Sequence, residues 1–159
     1  MRFCALSSRV LSLPTATRLR AAAALSLTLL AAACADKPSA MLDTVSVTVA
    51  PTANDTTPVA IDLIAVRDKA LVDKLGALTA AEWFAQREQA MRDHPATLGL
   101  TSWELVPGQT MRVERPQAEP AWAILVFANY ATPGPHRLRV PDTRTLTLTA
   151  GEKDVELAP

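Results

Sequence analysis

From residue 44 onward the chain alternates apolar and polar positions. In 44–49, Val45, Val47 and Val49 are separated by Thr44, Ser46 and Thr48. That period of two predicts a half-buried strand with β-branched residues on both faces. In 59–66, Val59, Ile61 and Leu63 repeat the pattern against a mixed face carrying Asp62. Further strand candidates lie at 102–106, 110–114, 121–130, 137–140, 144–149 and 153–157. The run 121–130, AWAILVFANY, is almost continuously apolar, as suits a central strand covered on both sides. Pro107-Gly108, Thr132-Pro133-Gly134-Pro135 and Pro141-Asp142 mark turns. Short strands with frequent turns predict a mainly β, two-sheet sandwich.

One segment has a different period. Over about 68–93 the apolar spacing is helical and falls in two pieces. Leu71, Val72 and Leu75 share a face before Gly76. Thr79-Ala80-Ala81-Glu82 then has the form of a capping box, in which each end residue satisfies an amide near the other. Ala80, Trp83, Phe84, Arg87 and Met91 follow at helical spacing, and Pro95 discourages continuation past Asp93. A helical insertion between the second and third strands is the result, with Trp83 and Phe84 laying it against the sheets.

Composition divides the chain. Residues 1–33 hold Arg2, Arg9, Arg18 and Arg20 and no acidic residue. Removing those four from 16 basic residues leaves 12 against 16 acidic ones, a formal charge of −4 from Cys34 on. A mildly acidic body argues against nucleic acid, whose affinity rests on Lys and Arg neutralising phosphates. Residues 21–33, AAAALSLTLLAAA, are uncharged and apolar; following a basic stretch and ending in small residues, they predict a signal peptide over 1–33. The run is shorter than the roughly 20 residues a membrane-spanning helix needs.

The run stops at Leu30-Ala31-Ala32-Ala33-Cys34, which resembles the lipobox of bacterial lipoproteins. In that family small residues precede a cysteine that is acylated and becomes the new N-terminus. Leu30 stands one step further back than the family's leucine. The resemblance implies lipidation at Cys34; ordinary cleavage among the alanines, leaving a free thiol, is the alternative. Asp36 rather than Ala35 is the first acidic residue after Cys34, and by the same resemblance this favours the outer membrane, on its periplasmic face. With Cys4 in the leader and Cys34 acylated, no thiol pair remains for a disulfide. Residues 34–43 read as the lipidated N-terminus and a tether, and 44–159 as one domain.

The candidate chemistry is thin. His94 and His136 lie about forty residues apart beside prolines, without the close ligand spacing of a zinc site. No Gly-rich phosphate loop, nucleophile elbow or paired-cysteine motif is present, so the chain is read as a non-enzyme with no catalytic residue, no metal and no cofactor. Glu82 beside Trp83 could be a general acid with a raised pKa, but the capping box explains it more simply. Trp83, Trp103 and Trp122 fit a core better than a ligand platform. Thr145, Thr147 and Thr149 read as a solvated strand face. The loop 50–58, APTANDTTP, is longer than a tight hairpin requires. A rigid sandwich presents such loops at its ends, so Asn54, Asp55, Thr56 and Thr57 are the candidate partner-binding residues. A plain connection is the other reading.

Several segments together resemble the TssJ family, the outer-membrane lipoproteins of type VI secretion systems. They are Asn54-Asp55 after the first strand, then Pro58-Val59-Ala60-Ile61-Asp62-Leu63, then the helical insertion. Next come Trp103-Glu104-Leu105-Val106-Pro107-Gly108-Gln109, and Ile124-Leu125-Val126-Phe127-Ala128-Asn129-Tyr130 with Arg137 beyond. The family's loop commonly reads Asn-Pro-Asp, where Pro51 here stands apart from Asn54-Asp55. Its Tyr-Gln-Leu after the second strand is Ile64-Ala65-Val66 here. The resemblance implies a transthyretin-like sandwich anchored in the outer membrane and holding the periplasmic part of the inner-membrane protein TssM. The competing reading is a periplasmic lipoprotein with an immunoglobulin-like sandwich that binds another ligand or envelope partner.

Overall fold

The computed structural model describes residues 37–158; the leader and Cys34 lie outside the described residues. Eight strands form two four-stranded sheets. The first has the order β4-β1-β7-β8, built from β1 (Ala40–Val49), β4 (Thr110–Ala121), β7 (Thr145–Ala150) and β8 (Val155–Leu157). The second has the order β3-β2-β5-β6, built from β2 (Val59–Val66), β3 (Leu98–Leu105), β5 (Ala123–Asn129) and β6 (Arg137–Arg139). Strands β1 and β7 run parallel, and the other pairs are antiparallel. Helices α1 (Lys69–Gly76) and α2 (Ala80–Asp93) fall between β2 and β3. This is the two-sheet sandwich with a helical insertion that the periodicities predict.

The alternation of β2 and β5 sorts their side chains into two cores. Val59, Ile61 and Leu63, with Ile124, Val126 and Ala128, face the first sheet and meet Val45, Val47, Val49, Leu146 and Leu148. Ile64, Val66, Ala123, Leu125 and Phe127 point the other way, onto Leu71, Val72, Leu75 and Trp83 of the helices. Both strands are covered on both faces, which is why their sequences are apolar with so little interruption.

Asp62 is the interruption, and it joins the helices to the sheet. Its carboxylate is 1% exposed and accepts from Trp83 Nε1 at 2.8 Å, Ser102 Oγ at 2.6 Å and Arg87 Nη1 at 3.2 Å. The Trp83 ring stacks on Phe127, the Asp62 neighbour on β5, with centroids 5.3 Å apart. A buried carboxylate is tolerated when its oxygens are supplied with donors in this way. Phe84 packs on the same core at its edge.

Several boundaries differ from the sequence reading; strand β3, for one, begins at Leu98 and not at 102. Strand β1 begins at Ala40, so 40–43 belong to the sheet and not to the tether. Leu42 is fully buried there. Strand β4 runs on to Ala121, through Pro116 and Pro120. The register shifts between Leu42 and Thr44, where Leu42 pairs with Gln117 and Thr44 with Glu114. This is an irregular β-bulge; the positive φ of Arg115, 50°, lies in it. Prolines are admitted because β4 is an edge strand.

Candidate recognition loops at one end of the sandwich

Strand β1 leads away from the chain's entry at Lys37, and the loop 50–58 leaves its far end to cross to β2 in the other sheet. Three other connections meet it there. Val49 is bonded to both Gln109 and Gly108 of the β3–β4 turn, by Val49 N to Gln109 O and Gly108 N to Val49 O. Ala50 N donates to Ala150 O and Asn54 N to Glu152 O, tying the loop to the β7–β8 turn. The β5–β6 connection, 130–136, closes on it from the side of the second sheet.

The centre of this assembly is Asn54, only 5% exposed. Its Nδ2 donates to Thr57 Oγ1 at 2.8 Å and to Pro58 O at 3.0 Å, and its Oδ1 accepts from Ala131 N at 2.7 Å. Thr57 Oγ1 in turn donates to Asn54 O at 2.6 Å. With its amide so occupied, Asn54 holds the shape of the loop. The shape is costly, because Asn54, Asp55 and Thr56 have φ of 48°, 53° and 63°. Left-handed backbone costs an L-residue roughly 1–2 kcal/mol, less for Asn and Asp. Here it falls on successive residues, one of them β-branched. Strain of this kind persists only where surrounding bonds over-determine it, and it concentrates at ligand clamps and switches.

The supporting residues were not visible as site residues in the sequence. The buried Tyr130 hydroxyl lies 3.0 Å from both the Gly151 and the Asp154 carbonyl oxygens. Burial, then the charges of Asp154 and Glu156, pushes its pKa up to about 12. His136, also buried, stacks on Tyr130 with centroids 5.1 Å apart. Its Nδ1 lies 3.0 Å from Asp154 Oδ1 and its Nε2 2.7 Å from Thr132 O. Both partners are acceptors, so both contacts are hydrogen bonds together only when the ring carries two protons. Gly134 lets this loop close, since a Cβ there would come within 2.6 Å of the His136 ring. The sequence reading weighed His136 only as a metal ligand and placed Tyr130 only at the end of an apolar strand. Their bonds to 151–154 are set by tertiary structure.

What remains exposed is a small tip. Pro51, Thr52, Asp55, Thr56, Thr57 and Pro58 face solvent. Val106, in the neighbouring turn, is 53% exposed and is one of two large apolar side chains so exposed among the described residues. Asp55 and Thr56 thus project from a strained, cross-braced loop, while Asn54 and Thr57 share the bonds that fix it.

The other candidates take structural places. Thr79 and Glu82 form the capping box. The Thr79 backbone and side-chain hydrogen bonds lower the Glu82 pKa, which is the reverse of what a general acid needs. His94 caps the C-terminus of α2 through its backbone. Trp83 is buried in the helix-facing core, Trp122 sits at that core's edge, and Trp103 borders the inter-sheet core, so they form no common platform. Thr145 and Thr147 are exposed and Thr149 half-buried. Among the described residues no group of three or more His, Cys, Asp and Glu is placed to hold a metal ion.

No protein-family model matches the chain, and no curated protein matches it. Solved structures do. The chain is similar to the type VI secretion lipoprotein TssJ1 from Pseudomonas aeruginosa, at 20% identity over 76% of this chain and 96% of that one, with a TM-score of 0.55. It is similar to Lip from Serratia marcescens, a membrane-bound component of the type VI secretion system, at 16% identity over 73% and 96% of the two chains, TM-score 0.53. A chain in the structure of the type VI secretion protein TssM C-terminal domain from EAEC matches at 15% identity over 73% and 96%, TM-score 0.55. At these identities the shared property is the fold.

Proposed function

We propose that the chain is a lipoprotein of a type VI secretion envelope complex, held in the outer membrane by acylation of Cys34 after removal of residues 1–33. The domain beyond the tether grips the periplasmic part of a TssM-like inner-membrane protein through the loop 50–58. The observation that carries this reading is the run of left-handed residues at Asn54, Asp55 and Thr56, braced by Asn54 and set at the opposite end of β1 from the anchor side. Strand β1 has 10 residues; at about 3.3 Å per residue it carries the loop some 30 Å from the chain's entry. A protein held by lipid at one end must hold its partner through protein surface at another. The likeness to the secretion lipoproteins supports the same assignment.

A braced loop suits recognition because ordering is completed before binding, which lowers the entropy lost in the complex. Asp55 and Thr56 supply the polar contacts and Val106 an apolar one. The tip alone is too small for a standard interface of about 800 Å² per partner, so the β3–β4 and β5–β6 connections extend it. The test is titration of the TssM periplasmic domain with the wild type and with a variant carrying alanine at Asn54, Asp55, Thr56 and Thr57. Weakened binding by a variant that keeps its circular dichroism spectrum is the expected result. Equal affinity moves the contact elsewhere, and no binding by the wild type removes TssM as the partner. Mass spectrometry of the mature N-terminus tests the anchor separately: an acylated Cys34 is expected, and a peptide starting elsewhere sinks that half of the proposal.

A further inference from the structure

The end of the sandwich opposite the recognition loop has its own surface chemistry. The start of β1, the β4–β5 link at Trp122, the end of β6 and the β6–β7 loop enclose a cleft of about 360 Å³ lined by Ser39, Ala40, Trp122, Arg139, Pro141 and Asp142. Trp122 is half-buried, and its backbone N–H donates to Val66 O at 2.8 Å. Lys69, first residue of α1, places its Nζ 4.8 Å from the centre of the Trp122 ring. Lys69, Arg139 and Asp142 are exposed around the ring.

We infer that this end is a membrane-facing surface, seated on the headgroups of the bilayer that holds the Cys34 anchor; the inference rests on the acylation of Cys34 proposed above. Chain length argues for it. Ala40 lies six residues beyond Cys34, and six residues span at most about 20 Å fully extended. The cleft begins at Ser39 and Ala40, so it stays within reach of the lipid surface whatever path the tether takes. The chemistry fits as well. Indole rings settle at the headgroup level because they are amphipathic. Lys69 and Arg139 match lipid phosphates, and Asp142 matches the ammonium of phosphatidylethanolamine. A second, non-covalent contact would orient the domain and hold the loop 50–58 away from the membrane. An acyl anchor on a tether cannot do that alone.

The experiment uses the full mature acylated protein in vesicles of phosphatidylethanolamine and phosphatidylglycerol containing lipid with a nitroxide near the headgroup. Tryptophan emission should be quenched in the wild type, and Trp122→Phe should abolish most of that quenching. Lys69→Glu with Arg139→Glu should reduce it while flotation with the vesicles is unchanged. Trp83 is fully buried, and Trp103 lies opposite Ile61 near the other end of β2, so neither substitutes for Trp122. Wild type and Trp122→Phe quenched alike, in protein that floats and keeps its circular dichroism spectrum, would overturn the inference and leave the anchor standing. Protein that does not float would overturn the anchor and this surface together.

Discussion

Among the described residues, the helix seam and the open end both bury polar side chains, and they do so to different ends. In the helix seam, Asp62 collects Trp83, Arg87 and Ser102 and fastens α2 to the second sheet. In the open end, Asn54 collects Thr57, Pro58 and Ala131 and fastens only a loop. The first network sits on top of an aromatic stack and a continuous apolar core. The second sits beneath an exposed tip in left-handed backbone. A buried polar group in the seam is part of the stability of the fold. At the open end the same kind of group holds strained backbone in place beneath an exposed tip, which is the recognition surface of the proposed function. The comparison predicts that damage to the seam is read mainly as lost stability and damage to the open end mainly as lost partner binding.

The largest effect should come from the seam. Phe127→Ala removes the ring under Trp83 and opens a cavity in a strand covered on both faces, at a cost of about 3–5 kcal/mol. Chemical denaturation measures it, and a loss below 1 kcal/mol would mean that the helices are not packed as described. Asp62→Ala should follow at about 2–3 kcal/mol, since it strands the Trp83 indole N–H without an acceptor. Arg87 can turn to solvent, its side chain being 36% exposed, so the full penalty for breaking a buried ion pair is not expected. Asp62→Asn keeps one acceptor and should cost less. If both substitutions leave the midpoint unchanged, the seam carries no more stability than the loop and the contrast fails.

At the open end the stability effects shrink. Asn54→Ala loses its side-chain bonds and puts alanine at a φ of 48°, for about 1–2 kcal/mol, with a loss of partner affinity larger than that cost explains. Tyr130→Phe should cost only about 1 kcal/mol at neutral pH, and pH separates it from the others. The Tyr130 hydroxyl titrates at about 12 in the fold against an ordinary 10.0. The unfolded chain therefore loses this proton first, so the tyrosine's contribution is complete below pH 10.0 and is lost as pH rises toward 12. Unfolding followed from pH 9 to 12 should show a steeper decline in the wild type than in Tyr130→Phe; parallel curves would show that the hydroxyl is not held as described.

The seam and the open end were not equally legible in the sequence. Strand alternation in 59–66, the apolar run of β5 and the capping box at Thr79 and Glu82 follow from local chemistry, and the structure has all of them. The sequence marked Asp62 as an oddity on its strand without showing its partners, because Trp83 and Ser102 reach it only when helix and strand are folded onto it. The extension of β4 past Glu114 was hidden by Pro116 and Pro120, which read as breakers unless the strand is known to be an edge. The loop 50–58 stood out by composition and length, yet its four candidate partner-binding residues looked alike. Which of them faces inward depends on Ala131 and Glu152, far along the chain, and no local pattern encodes that.

The smallest stability effect should be the most informative about function. Thr56 is β-branched and sits at a φ of 63°, a conformation glycine adopts without strain. Thr56→Gly therefore relieves strain in the folded state, of order 1 kcal/mol. It also frees the unfolded chain, which opposes folding by about 0.5–1 kcal/mol. The two nearly cancel, so the denaturation midpoint should barely move. Affinity for the TssM periplasmic domain should nonetheless fall, because a glycine loop samples conformations that the braced threonine loop excludes and must be ordered again on binding. Thr56→Asn separates this from the loss of the hydroxyl: asparagine tolerates the left-handed region and keeps a polar side chain, so it should retain more affinity than glycine. Comparing the two variants by calorimetry gives the sign of the effect directly. A glycine variant that binds as tightly as the wild type would show that the left-handed run is a feature of chain connection and that recognition does not depend on it.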